Sequence, residues 1–150
     1  MKIEGISRVF IGVRDMDKAK AFFSNLFEAE FVELTGPTVE AMEERAAISL
    51  EANIELLSPR LPLSENAPPY MKNLAKSLEE KESVLMGLCY KVNDTKVTAA
   101  EAERKGVSID GVIETAEFDE VLSWRNFKEL IAKEEDTFGV MMTFSQYDRV

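Results

Sequence analysis

The sequence predicts an α+β domain of two tandem βαβββ modules, a curved eight-stranded sheet around a cavity with helices outside. Three observations carry this expectation. A strand that runs straight into a helix opens the chain and returns after residue 83, so that IGVRDMDKAKAFF lines up with YKVNDTKVTAAEA. In both copies the apolar period switches from two to helical spacing at an Asx cap, Asp15 in the first and Asn93-Asp94 in the second. The stretch SPRLPLSENAPP (58–69), with four of the five prolines, separates the copies. Internal repetition of this kind constrains a fold more than any single propensity.

Taken in order, Val9, Ile11 and Val13 alternate with Arg8, Phe10, Gly12 and Arg14 and read as a strand. Residues 16–28 follow as a helix whose Met16, Ala19, Phe22, Phe23 and Leu26 form one apolar stripe. AEFVELTG (29–36) alternates and stops at a Gly36-Pro37 turn; RAAISLE (45–51) and NIELLS (53–58) read as two strands joined tightly. A short helix is expected from about 69 to 81, and a strand, a cap and a helix ending at Gly106 over 84–106. Residues 107–117, 127–133 and 139–147 supply the last strands. The expected organisation is a single domain over 1–150, with module one at 1–59, a linker and short helix at 60–82, and module two at 83–150.

Composition narrows the function. At 45% hydrophobic and 31% charged the chain is that of an ordinary folded domain. No apolar run approaches the roughly 20 residues of a membrane helix. MKIEGISR lacks the apolar core of a signal peptide, so a cytoplasmic protein is expected. A single cysteine, Cys89, excludes an intrachain disulfide. A net charge of −10 argues against nucleic acid, which needs a basic face. Most informative is the absence of histidine. It removes the usual general base near neutral pH and the usual transition-metal ligand, and leaves only carboxylate-oxygen sites for hard cations.

RVFIGVRDMDKAKAFF, NIELLSPRLPLSENAPPYMKNLAKSLEEK and KEEDTFGVMMTFSQY, in that order, resemble the vicinal oxygen chelate superfamily. That group holds glyoxalase I, methylmalonyl-CoA epimerase, extradiol dioxygenases and the bleomycin-resistance proteins. The epimerases are the nearest look-alikes, and TFGV is the most specific element. The resemblance implies a divalent metal held by one residue from each of four strands. Carried over position by position, the ligands fall on Arg8, Glu55, Gly87 and Thr143. Only Glu55 is of ligand type, so no metal and no other cofactor is expected. Thr143, where the epimerase-like members place a glutamate, cannot take a carbon-bound proton.

Strand alternation puts Arg8, Phe10, Gly12 and Arg14 on one wall with Gly87, Cys89 and Lys91, with Asn53, Glu55 and Leu57, and with Met141, Thr143 and Ser145. The ligand-binding candidates are Arg8, Phe10, Glu55, Cys89, Lys91, Met141 and Thr143; no residue is assigned as catalytic. Arg8 is expected to pair with Glu55, either as a structural pair or as a pair with donors to offer a ligand. Cys89 is expected to be a small core residue, and EAMEERA (40–46) and KEED (133–136) solvated surface. Trp124, Phe118 and Phe127 are expected in the core, over the cavity or at a dimer interface. Three functions stay open: a metal-independent protein that binds a small organic acid or acyl-CoA-like ligand, working as an atypical isomerase or lyase; an acidic drug-sequestering protein of the bleomycin-resistance kind; and a non-catalytic subunit or regulator. The expected partner is a small molecule, with neither nucleic acid nor membrane, and the resemblance implies a homodimer.

Overall fold

The computed structural model describes residues 1–150. The chain forms two compact units, Val9–Met86 and Met1–Arg8 with Gly87–Val150. Strand β1 (Ile3–Val13) contributes its first half to one unit and its second half to the other.

In the unit Val9–Met86, β1 is followed by α1 (Met16–Phe27), β2 (Val32–Leu34), α2 (Pro37–Ala41), β3 (Glu44–Ser49), β4 (Ile54–Pro59), α3 (Pro69–Ser77) and the start of β5 (Ser83–Val92). β1 runs parallel to β4, with Phe10 opposite Glu55 and Gly12 opposite Leu57, and β3 pairs antiparallel with β4 and β2. Asp15 caps α1 by accepting the Lys18 N–H at 3.0 Å, as its sequence position requires. Val13, Met16, Phe31, Ala47, Ile54 and Leu56 form the core between α1 and the strands, with Ile11, Ala19 and Phe23 against it.

Three expectations need correction here. Phe22 and Leu26 are 59% and 57% exposed, because Met16, Ala19 and Phe23 already fill the stripe that meets the sheet. AEFVELTG forms only the three-residue β2. Gly36, at φ 116°, turns the chain, and Pro37 opens α2 at a first-turn position where its missing N–H costs nothing. The helix expected to 81 stops at Ser77, where the Leu78 N–H returns to the Leu74 carbonyl and Arg14 takes the Leu78 and Lys81 carbonyls at 2.7–2.9 Å. One point the pattern left open is settled by packing: α3 is not on the α1 side. It lies over the face that carries Phe10 and Gly12: a β-carbon on Gly12 would fall 2.2 Å from Leu74 Cδ1, so the bare backbone there makes room for the helix.

The second unit holds the first half of β1, the rest of β5, α4 (Thr95–Arg104), β6 (Ile109–Glu114), α5 (Asp119–Leu122), β7 (Trp124–Ala132) and β8 (Met141–Arg149). Asp94 repeats the capping role of Asp15, accepting the Lys96 and Val97 N–H groups. β5 is parallel to β8, with Gly87 opposite Met141, Cys89 opposite Thr143 and Lys91 opposite Ser145; β8 pairs antiparallel with β7 and β7 with β6. Val92, Leu130, Ala132 and Phe144 form the core under α4. Along the ladder the eight strands follow the order β2-β3-β4-β1-β5-β8-β7-β6.

Three further expectations shift. β7 begins at Trp124 rather than 127 and is interrupted between Arg125 and Lys128, with Asn126 in the left-handed region at φ 57°. TFGV is not strand: Thr137 closes a 3-10 turn (Glu134–Thr137), Phe138 and Gly139 are left-handed, and β8 starts at Met141. Nor are the acidic runs wholly solvated. Glu44 is buried, Glu43 accepts from the Ser64 backbone and hydroxyl, and Asp136 accepts the Ser108 N–H.

Candidate functional site

The unit Met1–Arg8 with Gly87–Val150 carries a buried polar cluster on the face shared by β1, β5, β8 and β7. Its centre is Arg8, which alternation along β1 turns away from the α-helical side. Arg8 Nη2 donates to Glu129 Oε2 at 2.6 Å, and both side chains are buried. Arg8 Nη1 points to weaker acceptors, Cys89 Sγ at 3.2 Å and Ser7 Oγ at 3.4 Å. The guanidinium carbon lies 5.7 Å from the Trp124 ring centroid, within cation–π range.

Around this pair stand neutral groups. Cys89 Sγ meets Ser145 Oγ at 3.1 Å, and Ser7 Oγ meets Tyr147 OH at 2.8 Å. Tyr147 stacks on Trp124 at 4.1 Å, and Trp124 on Phe127 at 5.3 Å, so these aromatics with Phe118 are packing in this unit's core. Trp124 Nε1 is fully buried with no protein partner, and Thr143 Oγ1, on the residue opposite Cys89, has at most the weak Cys89 thiol for one. Buried hydroxyls without partners are uncommon, because each loses its water for nothing. Burial pushes the Cys89 thiol up to about 11, outweighing the pull of the Arg8 guanidinium beside it. Cys89 is therefore a neutral thiol at physiological pH, not an activated nucleophile.

Among the sequence candidates, Arg8, Cys89 and Thr143 belong to this cluster. Lys91 lies at its edge, with Nζ 4.8 Å from the Tyr147 ring and 3.7 Å from Glu4. Met141 is buried and presents its backbone: a β-carbon on Gly87 would fall 1.7 Å from the Met141 carbonyl oxygen. Phe10 and Glu55 lie side by side in the other unit, both buried, on the face that α3 covers. On that face Tyr70 OH donates to Glu44 Oε2 at 3.3 Å, which places a second carboxylate in a run expected to be surface.

Glu129 is the residue that the sequence pattern hides. Strict alternation would put Trp124 and Glu129 on opposite faces of β7. The irregularity between Arg125 and Lys128 adds a residue, and both then face Arg8. The left-handed Asn126, a residue type that tolerates this conformation, was the one signal available.

A family model described as the glyoxalase/bleomycin resistance protein/dioxygenase superfamily matches residues 5–144. The chain belongs to that superfamily. Solved structures agree in fold. Methylmalonyl-CoA epimerase from Mycobacterium tuberculosis superposes with a TM-score of 0.71 at 18% identity, over 96% of this chain and 88% of that one. A variant epimerase from Streptomyces coelicolor, in complex with 2-nitronate-propionyl-CoA, gives 0.70 at 16% identity, over 97% and 98%. A hypothetical protein from Bacillus halodurans C-125 gives 0.69 at 17%, over 97% and 95%. No curated protein matches the sequence.

Superfamily membership raises the question of a metal, and the residues at the positions carried over do not fit one. Arg8 is a cation already engaged with Glu129. Gly87 has no space for a side chain of any kind. Thr143 offers one neutral hydroxyl. No three His, Cys, Asp or Glu side chains come together as a possible metal group.

Proposed function

We propose that the chain is a metal-independent member of the superfamily that binds a small organic acid or acyl-CoA-like ligand at the Arg8 cluster, working as an atypical isomerase or lyase. One observation carries this reading: a buried guanidinium, Arg8, stands where the resemblance puts a metal ligand, held by Glu129 among hydroxyls and a neutral thiol. The guanidinium supplies fixed positive charge where relatives, by the resemblance, carry a metal. The fold likeness to epimerases, one of them holding an acyl-CoA analogue, supports the ligand class. As in many relatives, the working form is a homodimer.

Elemental analysis of the purified protein, followed by thermal-shift screening, tests the proposal. The expected result is no stoichiometric metal and a rise in melting temperature with acyl-CoAs or keto acids that is lost in Arg8→Met. Nickel, cobalt or zinc bound one per chain would overturn it. The net charge of −10 favours a second reading, sequestration of a cationic drug. A shift confined to glycopeptide drugs would establish that reading in place of the first.

A further inference from the structure

We infer that two copies of the chain pair through α1: the exposed apolar stripe of one helix packs antiparallel, about a two-fold axis, on the same stripe of the other. This rests on the reading that the working form is a homodimer.

The stripe is a line of residues four apart, Lys18, Phe22 and Leu26, on the flank of the helix that the sheet does not cover. Phe22 and Leu26 are 59% and 57% exposed, and Phe27, stacked on Phe23, extends the apolar surface at the helix end at 47%. Single exposed apolar side chains are ordinary, but large ones a turn apart on one flank form a patch. They offer roughly 300 Å² of apolar surface per copy, or about 600 Å² for two. Interfaces are a little over half apolar, so this corresponds to about 1,000 Å² buried in total, the lower bound of a specific association. The dimer is therefore a reversible one, in the micromolar range.

Shape and charge single out a second copy as the occupant. A cavity of about 480 Å³ lies beside the first half of α1, walled by Ala19, Phe22 and Phe23 of the helix and by Val13 and Ser83. Antiparallel pairing that puts Phe22 opposite the partner's Leu26 brings that leucine to the mouth of the cavity, and the symmetry repeats the fit. The same register carries Lys18 to the far end of the partner's helix. There α1 closes on Glu28, with Glu30 beyond it, both exposed, and the last turn holds no basic residue. Lys20 is already paired with Glu33, whereas Lys18 is exposed and forms no ion pair in its own chain. Each copy thus supplies the cation that the negative end of the other helix lacks, twice per dimer. An unrelated protein would need the reverse polarity to match this stripe; a second copy presents it by symmetry.

Sedimentation equilibrium on the full chain, over a concentration series, tests this. The wild type should show a reversible monomer–dimer equilibrium that weakens as salt rises. Phe22→Ser/Leu26→Ser should raise the dissociation constant about 30-fold or more, since each change is made twice in a two-fold interface. Lys18→Glu should raise it about tenfold, and Lys18→Glu combined with Glu28→Lys/Glu30→Lys should restore it. All these positions are exposed, so circular dichroism should show native folds throughout. A wild type that stays monomeric overturns the inference and the homodimer reading together, and leaves the stripe to a different partner. A wild-type dimer that survives Phe22→Ser/Leu26→Ser unchanged overturns the inference alone, because the homodimer then forms through another face. Failure of the combined charge reversal to restore the dimer overturns the antiparallel register, and the inference with it.

Discussion

Arg8 and Glu129, 121 residues apart in the chain, meet in a buried ion pair at 2.6 Å that joins the first strand to β7. Such a pair is costly to break and cheap to replace. Removing one partner strands a charge away from water, whereas removing both leaves only packing to restore.

Arg8→Met should therefore destabilise the protein by about 3 kcal/mol or more, and the double variant Arg8→Met/Glu129→Met should lose less than the two single losses added together. Urea denaturation of wild type, both single variants and the double variant gives the coupling energy. Additive losses would show that the two side chains do not depend on each other.

The Cys89 thiol, raised by burial from 9.0 to about 11, ties stability to alkaline pH. Between those values the unfolded chain gives up its thiol proton and the folded chain keeps it, so rising pH favours unfolding. The contribution is complete below about pH 9 and lost progressively toward pH 11. The measurement is a comparison: the fall in melting temperature from pH 8.5 to 11 should be steeper for wild type than for Cys89→Ala. The native thiol should also resist iodoacetamide at pH 8 and react once urea unfolds the chain.

Gly87 faces the Met141 backbone too closely for any side chain, with the carbonyl oxygen 1.7 Å from where a β-carbon would sit. Relief would have to come from parting β5 and β8, since the obstructing atom is main chain. Gly87→Ala should cost about 3 kcal/mol or more by chemical denaturation. Gly87→His combined with Arg8→His should not create a nickel site detectable by calorimetry.

At Gly12 the obstacle is a side-chain tip, Leu74 Cδ1, and the outcome differs in kind. Gly12→Ala should destabilise by about 1–3 kcal/mol as an overpacked contact. In a Leu74→Ala background the same change should cost less, because the space under α3 is then open. Equal costs in the two backgrounds would mean that Leu74 does not occupy that space.

Much of the fold is legible because the repeat is. The strand-to-helix switch at Asp15 recurs at Asp94, and each cap accepts the N–H three residues on, from Lys18 in the first and Val97 in the second. What escaped depends on information that pattern does not hold. The stripe of α1 is wide enough on paper to include Phe22 and Leu26, yet the sheet meets only part of it. α3 shows an apolar face without saying which side of the sheet it covers; the bare backbone of Gly12 decides that. In the candidate site, Arg8, Cys89 and Thr143 are found by alternation along β1, β5 and β8. Glu129 is not, because β7 does not alternate throughout.

That interruption in β7 has a consequence for comparing this chain with its relatives. The strand is written in two frames, one on each side of Asn126, and they differ by one residue. Against a strand that alternates throughout, an alignment drawn through β7 without a gap keeps either Trp124 or Glu129 in step, but not both. A search for this arginine–glutamate pair in distant sequences must therefore score Trp124 and Glu129 as separate anchors, with one position free to come or go between them.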